Sequence, residues 1–112
     1  MNTKGYFVIG TDTDIGKTFC STLLYQGVRK KNGMYYKPIQ SGGIPKDGKL
    51  YAPDVLSLCQ LEGIDYQEDM VTYVLEAEVS PHLASELEGT VIEIEKVKKH
   101  FMKLCEQYDY LI

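Results

Sequence analysis

Tyr6-Phe7-Val8-Ile9-Gly10-Thr11-Asp12-Thr13-Asp14-Ile15-Gly16-Lys17-Thr18 is the stretch on which the reading of this chain turns. Four apolar residues run into a glycine, then a polar loop, then Gly-Lys-Thr at the head of an amphipathic run. That is the order strand, phosphate loop, helix. The apolar run suits a buried parallel strand, and Gly10 lets the backbone turn without a Cβ clash. Gly16 lets main-chain N–H groups approach an anion at a helix N-terminus, whose dipole favours negative charge. Lys17 can reach terminal phosphate oxygens as a mobile point charge, and the Thr18 hydroxyl can ligate Mg²⁺. The residues from Gly10 to Thr18 thus predict a nucleotide phosphate site. Gly10 and Gly16 enclose one residue more than the common G-x-x-x-x-G-K-[ST] pattern, with Thr11 at the usual first-glycine position. A dinucleotide-binding reading fails, because no G-x-G-x-x-G follows the strand.

Downstream, Cys20, Leu23, Leu24, Gly27 and Val28 recur at helical spacing and predict the inner face of a first helix. It should end near Arg29-Lys30-Lys31-Asn32-Gly33, with the cations on the C-terminal dipole and Gly33 in the C′ turn. Met34 to Ser41 then reads as a second strand, stopped near Pro38. A right-handed βαβ unit puts it parallel to the first strand, adjacent or one place away. Ligands of such sheets bind beyond the carboxyl ends of the strands, and Lys37 is expected at that end, beside the phosphate loop.

Residues 42–52 read as a mobile loop rich in Gly, Pro and Lys. Pro53-Asp54 opens a helix whose inner face is Val55, Leu58 and Cys59, and Val71–Leu75 alternates weakly, as a short strand would. Ser80-Pro81 starts a further helix that Gly89 stops. Ile94, Val97, Phe101, Leu104 and Tyr108 mark the inner face of a last one. Asp109–Ile112 resembles the first residues of another buried strand. The expected fold is α/β, a P-loop NTPase-type doubly wound and mainly parallel sheet with flanking helices, of which residues 1–112 form the N-terminal part of a single domain. Such a piece leaves apolar sheet edge exposed and should self-associate or be poorly soluble.

The composition, 44% apolar and 25% charged with a net charge of −4, suits a soluble globular protein and gives no basic footprint for nucleic acid. The apolar run at Tyr6–Ile9 is too short for a signal peptide or a membrane span. Cys20, Cys59 and Cys105 are odd in number and widely spaced, so they read as buried thiols in a reducing, cytoplasmic compartment.

The segments Gly-Thr-Asp-Thr-Asp-Ile-Gly-Lys-Thr at 10–18, Lys-Pro-Ile-Gln-Ser-Gly at 37–42, Pro-Asp at 53–54 and Ser-Pro-His at 80–82 together resemble the dethiobiotin synthetase family. The longer phosphate loop is what that family looks like. The resemblance spans the chain but covers about half of a typical family domain. It implies an ATP-dependent ligase of biotin synthesis, which joins 7,8-diaminopelargonic acid to CO₂ and closes a cyclic urea at the expense of MgATP, as a homodimer. By that resemblance, Lys17 holds the transferring phosphoryl group and Lys37 stabilises the carbamate and developing negative charge. Thr18 and Asp54 share the Mg²⁺, and Thr13, with the loop N–H groups, contacts the carbamate or phosphate. Asp14 sits where the family carries an acidic residue that orients an amine or its proton, and Ser41 supplies a hydroxyl near the diamine. The family's next Mg²⁺ ligand, a Glu, falls beyond Ile112.

Each residue also has a plainer reading. Lys37 could be a solvated strand-end lysine, and Asp54 could simply favour a helix N-terminus. Ser41 could be a turn residue, and Asp12 and Asp14 could stiffen the loop through local hydrogen bonds. His82 and His100 read as residues without a catalytic role. Three other functions compete: a nucleotide switch of the ParA/MinD type, whose signature lysine would fall at position 12, where this chain has Asp12; a related amide-forming ligase of cofactor synthesis, distinguished by a glutaminase partner region; and a nucleotide-binding fragment without catalysis.

Overall fold

A computed structural model of the chain describes residues 3–8, 14–77 and 79–112, and within these not the side chains of residues 14–16 and 18. Among the described residues the strands β1 (Lys4–Gly5), β2 (Gly33–Met34) and β7 (Tyr110–Leu111) form one parallel set in the order β1-β7-β2. The pairing runs past the strand ends, since the Ile112 N–H donates to the Met34 carbonyl and the Tyr36 N–H to the Ile112 carbonyl, both at 2.9 Å. β3 (Lys37–Gln40) continues the stretch that began with β2 and pairs parallel with β6 (Val71–Val74), Lys37 opposite Val71 and Ile39 opposite Tyr73. The second strand therefore lies one place from the first, with β7 between them. Among the described residues four α-helices accompany the strands, α1 (Asp14–Val28), α2 (Pro53–Glu62), α3 (Pro81–Glu88) and α4 (Ile94–Gln107). The expected α/β class with mainly parallel strands is what the chain adopts.

Side chains alternate across the 33–40 stretch, as the pleat requires. Lys37 faces α2 and pairs with its Asp54. Tyr36 faces α4, its ring edge-on to His100 with centroids 5.1 Å apart. Behind it the Thr72 hydroxyl lies 2.5 Å from the Tyr36 hydroxyl and 2.7 Å from His100 Nδ1, tying the residue that precedes β3 to β6 and α4. The core is built from Met34, Val55, Leu58, Met70, Leu104 and Leu111, each nearly excluded from water.

Several expectations held. Val55, Leu58 and Cys59 are the buried face of α2. The Ser80 hydroxyl accepts from the Leu83 N–H to cap α3, Pro81 takes its first turn, and Gly89 closes it in the left-handed region at φ 67°.

Others need correction. Residues 42–52 are ordered around a hairpin of β4 (Ile44–Lys46) and β5 (Lys49–Tyr51), turned by Asp47 and Gly48 at φ 54° and 78°. Two central residues at positive φ match the twist of the flanking strands, the reason such turns favour Asp-Gly. Pro38 lies inside β3 instead of stopping it; it is missing from the β3–β6 register, consistent with its lack of an N–H. Asn32, at φ 60° and ψ 49°, takes the left-handed residue expected of Gly33. Gly33 is needed for a different reason, because a Cβ there would come within 2.6 Å of the Val28 carbonyl oxygen.

The apolar face of α1 is also rotated from the expected one. Ser21, Thr22 and Tyr25 are buried, whereas Leu23 and Leu24 are exposed along with Phe19 and Cys20. The helix carries apolar residues on more than one side, and the side against α2 and β2 is the covered one. The first strand is displaced as well: β1 is Lys4–Gly5, Tyr6 only extends it through its N–H to the Leu111 carbonyl, and Phe7 is 88% exposed. Among the described residues β1 pairs with β7 alone, and of the expected run Val8 packs against the core while Ile9 lies outside the described residues. The last helix is placed as expected, with Leu104 buried but Ile94 and Phe101 exposed.

Candidate functional site

Lys37 opens β3 instead of ending a strand. It is nonetheless the first residue past the β2–β7 pairing, since the last bond to Ile112 comes from Tyr36. The ammonium so placed meets the first turn of α2. Lys37 Nζ lies 2.6 Å from Asp54 Oδ2, the two side chains 29% and 17% exposed. The geometry is that of a charge-assisted hydrogen bond, half-shielded from solvent.

Asp54 is held there for local reasons. Pro53 takes the first helical position, where a missing N–H costs nothing, and the helix N-terminus favours the carboxylate that follows. Ala52 is the N-cap residue, is fully buried and has no side-chain acceptor to offer. Its own N–H, a separate donor from those a cap would satisfy, donates to the Tyr66 hydroxyl at 3.0 Å. The Tyr66 ring stands edge-on to Tyr51, centroids 5.0 Å apart, and an ion pair of Lys49 with Glu68 links the same hairpin to the segment after α2. Tyr35 is also buried beside the site, and burial first, the Asp54 carboxylate second, push its hydroxyl well above its ordinary pKa.

Ser41 follows β3 and its carbonyl accepts from the Gln40 side-chain amide at 2.8 Å. The next two residues are tied across to the end of β6, Gly42 N–H to Ala77 and Gly43 N–H to Leu75. Lys17 is half-buried in the first turn of α1. Gly10, Thr11, Asp12 and Thr13 lie outside the described residues, as do the side chains of Asp14, Ile15, Gly16 and Thr18. The structure thus brings together Lys37 and Asp54. Among the described residues neither Lys17 nor Ser41 bonds to that pair. His82 is a surface residue beside Glu86 at 3.1 Å. It borders an open groove of about 600 Å³ between Ile39, α3 and Ile92.

Asp54 offers what a hard divalent cation takes, a carboxylate oxygen in the first turn of a helix, partly open to solvent. Among the described residues no three acidic, His or Cys side chains form a cage by themselves. A single carboxylate supplemented by phosphate oxygens is a common way to hold Mg²⁺. Sequence reasoning did not single out Tyr66 or Tyr35; the Tyr-rich composition gave no pattern that would mark them.

A family model described as an AAA domain matches residues 4–112. The ATP-dependent dethiobiotin synthetase of Fusobacterium nucleatum is 59% identical over 112 residues, covering 100% of this chain and 51% of that protein. The protein of the same name from Clostridium perfringens is 41% identical, over 97% of this chain and 49% of its own length. That from Anoxybacillus flavithermus is 38% identical over 97% and 50% respectively. The chain spans about half the length of these curated relatives. It belongs to this AAA-domain family of P-loop NTPases and corresponds to the N-terminal half of proteins named ATP-dependent dethiobiotin synthetase.

Proposed function

We propose that the chain carries the phosphate- and metal-binding half of an ATP-dependent ligase that makes dethiobiotin from 7,8-diaminopelargonic acid and CO₂. The Lys37–Asp54 pair is the observation that supports this best, because it sets a cation and a metal-ready carboxylate at one point beside β3. In this reading one amine of the diamine adds to CO₂ and loses a proton, giving a carbamate. A carbamate oxygen attacks the γ-phosphorus, ADP departs, and the second amine attacks the carbonyl carbon of the mixed anhydride to expel phosphate.

Phosphoryl transfer asks the protein for alignment and charge neutralisation more than for covalent help. Lys17 and the main-chain N–H groups of residues 10–18 bind the phosphates, and Lys37 meets the anionic carbamate and the charge that develops on it. Thr13 and Ser41 contact the carbamate and diamine side, and Asp14 orients an amine. Asp54 and Thr18 would hold Mg²⁺, whose bound charge offsets that of the phosphate oxygens. The reading places the reaction in the cytoplasm and expects a homodimer, for which exposed Phe7, Phe19 and Leu23 leave apolar surface.

The test is ADP release from MgATP and bicarbonate with and without the diamine. Diamine-dependent ADP supports the ligase. ATP hydrolysis indifferent to the diamine would favour a nucleotide switch, and MgATP binding without turnover would favour a fragment that binds nucleotide only.

A further inference from the structure

Between the hairpin and α2, one hydroxyl holds the residue from which the Asp54 helix starts. Ala52 begins the helix by accepting the Leu56 N–H at 2.9 Å, yet its own N–H points outward from the helix. Ala52 is completely excluded from water, so that N–H needs a partner within the protein. Neither Ala52 nor Pro53 can supply one. Tyr66 does, from 14 positions along the chain, at 3.0 Å. Its ring stands edge-on to that of Tyr51, the residue directly before Ala52, so the ring that carries the hydroxyl is itself held beside this peptide unit.

We propose that Tyr66 is a positioning residue: by accepting the Ala52 N–H it sets where α2 begins and thereby holds Asp54 on Lys37. This rests on the reading that gives Asp54 and Lys37 their roles. Asp54 is only two residues beyond the gripped amide, with the rigid ring of Pro53 between, so little slack separates them. The hydroxyl is well suited to the task because it stays neutral. Burial raises its pKa, the Ala52 N–H acting in the opposite direction.

Tyr66→Phe keeps the ring and its contact with Tyr51 and removes only the acceptor. The interaction between Lys37 and Asp54 is measured by a double-mutant cycle in urea unfolding, using Lys37→Met and Asp54→Asn, in the wild-type and Tyr66→Phe chains. Leu58→Val, a cavity in the buried face of α2, serves as a control that lowers stability without touching the Ala52 amide. The expected result is loss of the Lys37–Asp54 coupling in Tyr66→Phe and its retention in Leu58→Val. Retention in Tyr66→Phe, or equal loss in both, overturns the proposal. A parallel titration of Mg²⁺ against ATP binding should need severalfold more Mg²⁺ in Tyr66→Phe, where the Asp54 carboxylate is itself displaced, and no more in Lys37→Met, where it stays in place and loses only a competing cation. If the coupling is lost while Mg²⁺ leaves ATP binding unaffected in every chain, the positioning role stands and the metal role of Asp54 falls.

Discussion

The Lys37 ammonium sits 2.6 Å from Oδ2 of Asp54 and joins the first residue of β3 to the first turn of α2. A divalent cation on that carboxylate would contend with a cation already in place. Lys37→Met should therefore bind Mn²⁺, used without nucleotide as a spectroscopic stand-in, more tightly than the parent chain. An ion pair this exposed is worth at most about 1 kcal/mol, so the gain should be up to about fivefold. Asp54→Asn should abolish the binding. Electron paramagnetic resonance of free Mn²⁺ reads both, and weaker binding by Lys37→Met would show that the pair does not compete with metal.

Alkali should undo the fold more readily than acidification through neutral pH. Burial raises the hydroxyl pKa of Tyr25, Tyr35, Tyr36, Tyr66 and Tyr108 above that of the free side chain. An acid kept neutral by the fold contributes no loss below its unfolded pKa of about 10. Above that pH the unfolded chain releases protons that the folded chain retains, so stability falls as pH rises. Urea midpoints should begin to fall above about pH 8.5, where burial keeps the Cys59 thiol protonated in the folded chain, and drop more steeply beyond about pH 10, with the tyrosinate absorbance that Tyr35→Phe removes rising together with unfolding. If the signal lost in Tyr35→Phe appears well before unfolding, the burial of that ring is contradicted.

Gly33→Ala should cost about 1–3 kcal/mol, the range for forcing a methyl into a filled space. The new Cβ would meet the Val28 carbonyl oxygen at 2.6 Å, a backbone atom that cannot turn aside. Gly27→Ala, with nothing within 4 Å, should be neutral or slightly stabilising. Equal melting temperatures for the two variants would refute the packing assigned to the α1–β2 junction.

His100→Ala should lower stability by about 1–3 kcal/mol, since it takes one of the Thr72 hydroxyl's two partners and the ring that stands against Tyr36 at a half-buried site. Thr72→Val in the same background should then cost much less than it does alone, and additive losses would argue against a shared network.

The chain's pattern showed the order of elements well where local chemistry and tertiary packing agree. Ser80-Pro81 and Gly89 bound α3 because caps act on their own backbone. The Asp47-Gly48 turn was equally local and legible, but the Gly, Pro and Lys around it suggested a loop. The covered face of α1 was not legible, because apolar spacing cannot say which of two apolar sides will meet a neighbour. In the site, Pro53-Asp54 could be placed at a helix start from sequence, and its meeting with Lys37 could not. That contact depends on the offset between the β2–β7 and β3–β6 pairings. Tyr66 escaped notice for a related reason: its partner is the N–H of an alanine, and an alanine carries no chemical signal in a sequence.

Calorimetric titration of ATP, with and without Mg²⁺, into the parent chain and into Lys17→Ala and Asp54→Asn bears most directly on the central claim. The account predicts that the parent binds ATP more tightly with Mg²⁺, that Lys17→Ala loses binding under both conditions, and that Asp54→Asn keeps metal-free binding but loses the Mg²⁺ enhancement. Unchanged MgATP affinity in Lys17→Ala, or full Mg²⁺ enhancement in Asp54→Asn, would contradict it.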